Sequence, residues 1–173
     1  MPPIEPNSAP LPDTDIVAAL ENAQRLAMIG LYDEAQACLD ALLQKIPHHV
    51  DTLRLMGNII ELEAFADELD GKGDFVHSPE VAKARACYEQ ALALQPNHIG
   101  ILADLGTHWK NLGNHEQAMA FFEKVIAQLS NTANPATDHD GFEEALEGKI
   151  EILQQQGNLA EAQRMQHLLE TLE

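Results

Sequence analysis

Between Ala118 and Ala127 the apolar residues fall at Ala118, Phe121, Phe122, Val125 and Ile126. That three-and-four spacing puts side chains on one face of a helix instead of alternating them across a strand. Near the end of the chain, "AQRMQHLLETLE" carries Met165, Leu168, Leu169 and Leu172 in a second apolar run. Gly30, Gly113 and Gly157 mark short breaks between helices, because glycine takes the left-handed conformation that ends a helix without steric cost. Asn114 and Asn158 follow two of these breaks as expected caps of the next helix. In "HSPE", Ser78 is a cap and Pro79 suits the first helical turn, so a helix is predicted to start there. Asp140 with Glu143 has the spacing of a capping box opening the last helical unit. The pattern predicts an all-α chain of short helices joined by tight turns.

The helices recur. Small residues fall at Ala35, Ala84, Ala118 and Ala162, with spacings of 49, 34 and 44, and the residues four further on are Leu39, Tyr88, Phe122 and Gln166. Pro47 and Pro96 are 49 apart, as are Gly57 and Gly106. A period of 34 therefore runs through the chain, lengthened once by 15 residues and once by 10.

These residues resemble the tetratricopeptide repeat, a 34-residue helix–turn–helix with a Leu-Gly pair, an alanine, an aromatic and a closing proline. The third unit matches best, with Leu102, Leu105, Gly106, Trp109, Gly113, Ala118 and Phe122, although Ser130 replaces the closing proline. The second has Leu53, Met56, Gly57, Ile60, Ala84, Tyr88, Ala91 and Pro96. The first fits at Leu26, Gly30, Tyr32, Ala35, Leu39 and Pro47, while Ala19 and Ala23 stand where a large residue and a glycine are usual. The fourth keeps Leu146, Leu153, Gly157 and Ala162. The resemblance implies a right-handed α-solenoid of antiparallel helix pairs, about four hairpins, with a concave groove that binds a partner protein. The expected organisation is a disordered Pro-rich tail over residues 1–13 and a solenoid over 14–173. Its units are about 16–49, 50–98, 99–132 and 143–173, with an inserted loop at about 66–79 and a linker at 133–142.

The loop "DELDGKGDFVHSPE" is rich in carboxylates but does not have the spacing of a calcium loop. Counted from Asp67, its third position is Leu69, the sixth, which needs glycine, is Lys72, and the twelfth is Ser78 instead of glutamate. It is expected to be a solvated or groove-lining loop. Asp138, His139 and Asp140 in the second insertion are adjacent in sequence, which suits a linker and helix cap better than a metal site.

Ten basic residues stand against 28 acidic ones, a net charge of −18. Such a surface repels phosphate backbones and anionic lipid, so neither nucleic acid nor membrane is an expected partner, and a basic protein segment is. No apolar run reaches the length of a membrane span, and the start "MPPIEPNSAPLPDTD" lacks the regions of a secretory signal, so a cytoplasmic location is expected. Cys38 and Cys87 have no CxxC spacing and read as buried or half-buried thiols. "HEQAM" from His115 has Met119 where the HExxH zinc motif needs its second histidine, and neither a GxSxG elbow nor a phosphate loop occurs. No catalytic residues, metal or cofactor are expected, and the chain is read as not an enzyme.

What the resemblance leaves is partner binding. In its register the groove is lined by Val17, Leu20, Gln24, Ala27 and Met28 in unit one, Arg54, Asn58, Glu61 and Leu62 in unit two, Ala103, Thr107, Lys110 and Asn111 in unit three, and Glu147, Glu151 and Gln154 in unit four. One end is apolar, the middle mixed and the far end acidic, which suits a peptide or helix with apolar and basic faces. Contacts with the chain's own tail or inserted loop are the competing use of these residues. A carboxylate clamp, the family's mode of holding an acidic tail, is matched by Arg54 and Asn58. It fails at Asp104, Glu144 and Gly148, which stand where polar or basic residues are expected. The run Met165, Leu168, Leu169 and Leu172 leaves two readings open: an uncovered face that forms a homo-oligomer, or packing on the fourth unit's own first helix.

Overall fold

The computed structural model describes residues 11–129 and 139–172. Among them are eight helices and no strand: α1 (Asp13–Met28), α2 (Tyr32–Lys45), α3 (Val50–Leu69), α4 (Pro79–Leu94), α5 (Ile99–Asn111), α6 (His115–Leu129), α7 (His139–Gln155) and α8 (Leu159–Glu170). They pack as four consecutive hairpins, and each hairpin stacks on the next through α2 on α3, α4 on α5, and α6 with α5 on α7. The helical-hairpin solenoid implied by the sequence is the fold.

The small residues do what their spacing implies. Ala35, Ala84 and Ala118 have no exposed surface and Ala162 is 4% exposed, each on the buried face of the second helix of its hairpin. A second device closes the hairpins. A Cβ on Gly57 would lie 2.4 Å from the Tyr88 ring, and one on Gly106 2.3 Å from the Phe122 ring, so an aromatic of the second helix seats directly on the backbone of the first. Phe122 also touches the next hairpin, where a Cβ on Gly148 would come within 2.3 Å of it. Its ring is thus held between α5 and α7.

Helix ends follow local chemistry. α1, α5 and α7 each stop at a glycine with positive φ: Gly30 at 78°, Gly113 at 72° and Gly157 at 74°. At the second of these, Gly113 N–H donates to Lys110 C=O (2.9 Å) and Asn114 N–H to Trp109 C=O (2.9 Å), the six-to-one closure that satisfies the last carbonyls. Replacing Gly113 by valine is expected to cost about 1–2 kcal/mol, since a β-carbon is strained in that conformation. Alanine at Gly73, whose φ is not positive and whose nearest neighbour would be 3.7 Å away, is the control, and urea midpoints of the two variants check the difference. Ser78 caps α4 through the Glu80 N–H with Pro79 in the first turn, and Asn114 caps α6 through the Gln117 N–H (3.2 Å). His49 and His98 cap α3 and α5 through Nδ1.

Three expectations differ from the structure. Asn158 makes no side-chain cap bond to α8; its backbone N–H instead closes α7 on Leu153 C=O (2.8 Å). α7 already begins at His139, so Asp140 sits within its first turn instead of capping it, and residues 139–142 are helix where a linker was expected. Burial explains the early start: Phe142 has no exposed surface, and a Cβ on Gly141 would meet Ile99 at 2.8 Å. Asp138, the His139 side chain, Ser130 and the tail over residues 1–10 lie outside the described residues. Finally, α3 runs through Leu69, so the inserted loop starts at 70 instead of 66.

That loop is anchored. Phe75 is 2% exposed and stacks on Phe65 of α3, ring centroids 3.8 Å apart and 15° from parallel, in a small cluster with Ala64, Val81 and Leu112. The apolar run near the end of the chain is also used within it: Met165, Leu168 and Leu169 of α8 and Leu172 just beyond it pack with Leu146 and Ile150 of α7.

Candidate functional site

A cleft of about 370 Å³ opens where α3 faces α5, with α4 behind it and α7 at its far rim. Leu62 and Phe65 supply an apolar wall, and Arg54, Asn58, Thr107, Asn111, Asp104 and Glu144 supply the polar one. A second hollow of about 230 Å³, lined by Leu20, Gln24, Asp51, Arg54, Leu55 and Asn58, continues it toward α1. Arg54 and Asn58 line both.

Side chains, more than close backbone packing, join α3 to α5. Arg54 donates from Nε to Asp104 Oδ2 (2.5 Å) and from Nη2 to Oδ1 (3.2 Å). The guanidinium reaches there over Gly100, where a Cβ would lie 2.5 Å from its Cζ. Two turns along, Glu61 is 8% exposed and takes the Tyr88 hydroxyl proton at Oε2 (2.9 Å) and His108 Nδ1 at Oε1 (2.6 Å). His108 is fully buried, edge-on to Tyr88 and Trp109. Burial pushes the Tyr88 phenol far above its ordinary range, and the Glu61 carboxylate beside it adds to the rise. Burial also raises Asp104, against the Arg54 guanidinium that holds its charge.

Glu144 of α7 is different. Its Oε1 accepts the Thr107 hydroxyl (2.7 Å), and no cation stands within ion-pair distance of it among the described residues. Burial pushes its carboxyl above the ordinary 4.5, the Asp104 charge adding to the shift while Thr107, Arg54 and Lys110 oppose it. The folded chain thus holds this proton more tightly than the unfolded chain does. Its favourable contribution is complete below pH 4.5 and is lost as pH rises through the raised value. Glu144→Gln is therefore expected to raise the urea midpoint at neutral pH, with the gap to the native chain closing by about pH 4.

Of the residues the sequence placed in the groove, the structure gathers Leu20, Gln24, Arg54, Asn58, Glu61, Leu62, Thr107 and Asn111 around the two hollows. Lys110 lines neither hollow and is paired with Glu151 of α7. Val17 and Met28, 52% and 85% exposed, line neither hollow, nor do the exposed Glu147 and Gln154, and Ala27 and Ala103 are buried in the core instead of facing the groove. The two cations expected to face a partner are both engaged by carboxylates of the chain itself, and Glu61 is committed inside. Phe65, Tyr88, Asp104 and Glu144 were not placed in the groove by sequence. The signal for the last two was present as departures from the carboxylate clamp. Among the described residues no group of three or more histidine, cysteine, aspartate or glutamate side chains is arranged to hold a metal, and no helix is long and apolar enough to cross a membrane.

The family model for the tetratricopeptide repeat matches residues 107–127, the stretch that carries the α5–α6 turn at Gly113 with Ala118 and Phe122. Human tetratricopeptide repeat protein 7B is 30% identical over 134 residues, 78% of this chain and 13% of that protein. The chain belongs to the tetratricopeptide-repeat family. It spans about an eighth of the length of that curated relative. Two solved structures are similar at low identity. MamA is 16% identical, with a TM-score of 0.45 over 87% of this chain and 93% of that one. A single-substitution form of a Podosopora anserina kinesin light chain candidate with nearly identical TPR-like repeats is 17% identical, with a TM-score of 0.46 over 92% and 94%.

Tetratricopeptide-repeat proteins generally mediate protein–protein contacts and scaffolding. Here Gly57 with Tyr88 and Gly106 with Phe122 are the same glycine–aromatic joint in successive repeats, separated by 31 residues in one and 16 in the other. The difference is the insertion of fifteen. It lies at the α3–α4 turn, so Phe75 buttresses Phe65 from behind while Phe65 lines the cleft in front.

Proposed function

We propose that this tetratricopeptide-repeat chain is an adaptor that holds a peptide or helix of a partner protein along the face formed by α1, α3, α5 and α7. The observation that carries the reading is the pair of adjacent hollows, sharing Arg54 and Asn58, that extend from Leu20 and Gln24 to Thr107 and Asn111. Two carboxamides in it, Asn58 and Asn111, make no hydrogen bond among the described residues and are free to bind a partner. Half-buried amides beside an apolar wall suit an extended or helical segment better than a small metabolite, because they supply donors and acceptors along a length instead of converging on one point.

Peptides selected from a display library against the native chain test it. They are expected to lose about tenfold or more in affinity for the Asn58→Ala, Asn111→Ala double variant, roughly two hydrogen bonds' worth of binding. Selected peptides that bind the double variant as tightly as the native chain contradict the reading. Two neighbouring readings have less support. An acidic tail held at Arg54 would meet Asp104, already bonded to that guanidinium, and Glu144 beyond it. Self-assembly through α8 would need apolar side chains that pack on α7 instead.

A further inference from the structure

The partner's chemistry follows from the charges lining the α3–α5 cleft. Glu61, Asp104 and Glu144 face it against the single guanidinium of Arg54, inside a chain whose net charge is −18. Two of the three carboxylates are satisfied: Asp104 by Arg54, and Glu61 by Tyr88 and His108. Glu144 has one hydroxyl donor from Thr107 and no cation within ion-pair distance among the described residues, Arg54 and Lys110 acting on it from further off. A partly buried carboxylate in that state sits in surroundings that disfavour its charge, and an incoming cation relieves this. Across the cleft Leu62, 45% exposed, and the ring of Phe65 offer apolar surface of the kind that covers the methylene stem of a long basic side chain.

We infer that the α3–α5 cleft receives an arginine or lysine side chain of the partner protein, its stem against Leu62 and Phe65 and its charged head on Glu144. The inference rests on the groove reading above and adds to it the sign of the partner's charge. Charge complementarity argues for this occupant: a neutral or acidic side chain at this position would leave Glu144 unpaired or repelled, whereas a cation pairs with it without breaking the Arg54–Asp104 bond. Arginine is the better fit of the two, because its fork pairs with one carboxylate and stacks on an aromatic ring.

The probes are acetyl-Leu-Arg-amide and acetyl-Leu-citrulline-amide, equal in shape and differing in charge, titrated into the ¹⁵N-labelled full chain and followed by backbone amide shifts. The arginyl probe is expected to shift Leu62, Thr107, Asn111 and Glu144 saturably, with a Kd of about 1–10 mM, as suits one ion pair with a small apolar contact. The citrulline probe is expected to bind about tenfold more weakly, and the preference for arginine is expected to shrink as salt is raised. Glu144→Gln is expected to erase the preference, and Glu144→Asp, which keeps the charge, to retain it; the dispersion of each spectrum reports folding independently. Equal binding of the two probes in the cleft, or an undiminished preference in Glu144→Gln, overturns the inference and leaves the groove reading standing. If neither the probes nor the library-selected peptides shift cleft residues, both fall together.

Discussion

Replacing Phe122 by alanine is expected to cost about 3–5 kcal/mol of stability, the range for emptying a fully buried aromatic site. The ring has no exposed surface and fills the space left by two glycines on different helices, Gly106 of α5 and Gly148 of α7. Its loss therefore opens a cavity at the joint between the third and fourth hairpins. The same contact makes a second result counter to helix propensity. Alanine is favoured over glycine by about 1 kcal/mol within a helix, yet Gly106→Ala is expected to destabilise, because its Cβ would lie 2.3 Å from the Phe122 ring. That ring cannot retreat, since Gly148 presses on it from the other side. In the Phe122→Ala background Gly106→Ala should turn neutral or stabilising, a sign change that only direct contact produces. Urea denaturation of the four chains measures it; additive losses would mean the ring is not held as described.

Glu61→Ala is the second large effect, about 3–5 kcal/mol, because it strips the acceptor from two buried donors at once. The Tyr88 hydroxyl and the His108 imidazole both end on this carboxylate, and neither has water to turn to, being 1% and 0% exposed. Glu61→Gln, which keeps an acceptor oxygen, is expected to lose less. Adding Tyr88→Phe to Glu61→Ala should recover part of the loss by removing one of the stranded donors. A Glu61→Ala chain within about 1 kcal/mol of native would show that the α3–α5 seam does not depend on this network.

The hairpins were legible in the sequence because their determinants are local. Ala35, Ala84, Ala118 and Ala162 mark the buried faces of the second helices, and Gly30, Gly113 and Gly157 the turns, each within a few residues of the structure it dictates. The place of the insertion was legible too, from the changed spacing, but not its form. Continuing α3 to Leu69 and anchoring the loop depend on Phe75 meeting Phe65, a contact between the inserted loop and α3 that periodicity does not reveal. The groove was half legible for the same reason. Helical register placed Arg54, Asn58, Thr107 and Asn111 on the inner face. What each side chain does there depends on partners 50 residues away for Arg54 and 37 for Thr107. Arg54 and Lys110 therefore looked available to a partner while Asp104 and Glu151 already held them. Asn114 and Asn158 both close the preceding helix through the backbone N–H, but the Asn114 side chain alone of the two goes on to cap the next helix, a difference the shared Gly-Asn sequence does not reveal.

The measurement that reaches the central claim most directly is amide hydrogen exchange of the chain alone and with a saturating library-selected peptide. Protection is expected only on the helices of the proposed face, over residues 20–24 of α1, 54–62 of α3, 103–111 of α5 and 144–151 of α7, with α2, α4, α6 and α8 unchanged. Protection on the outer helices, with the inner face left as it was, would contradict it.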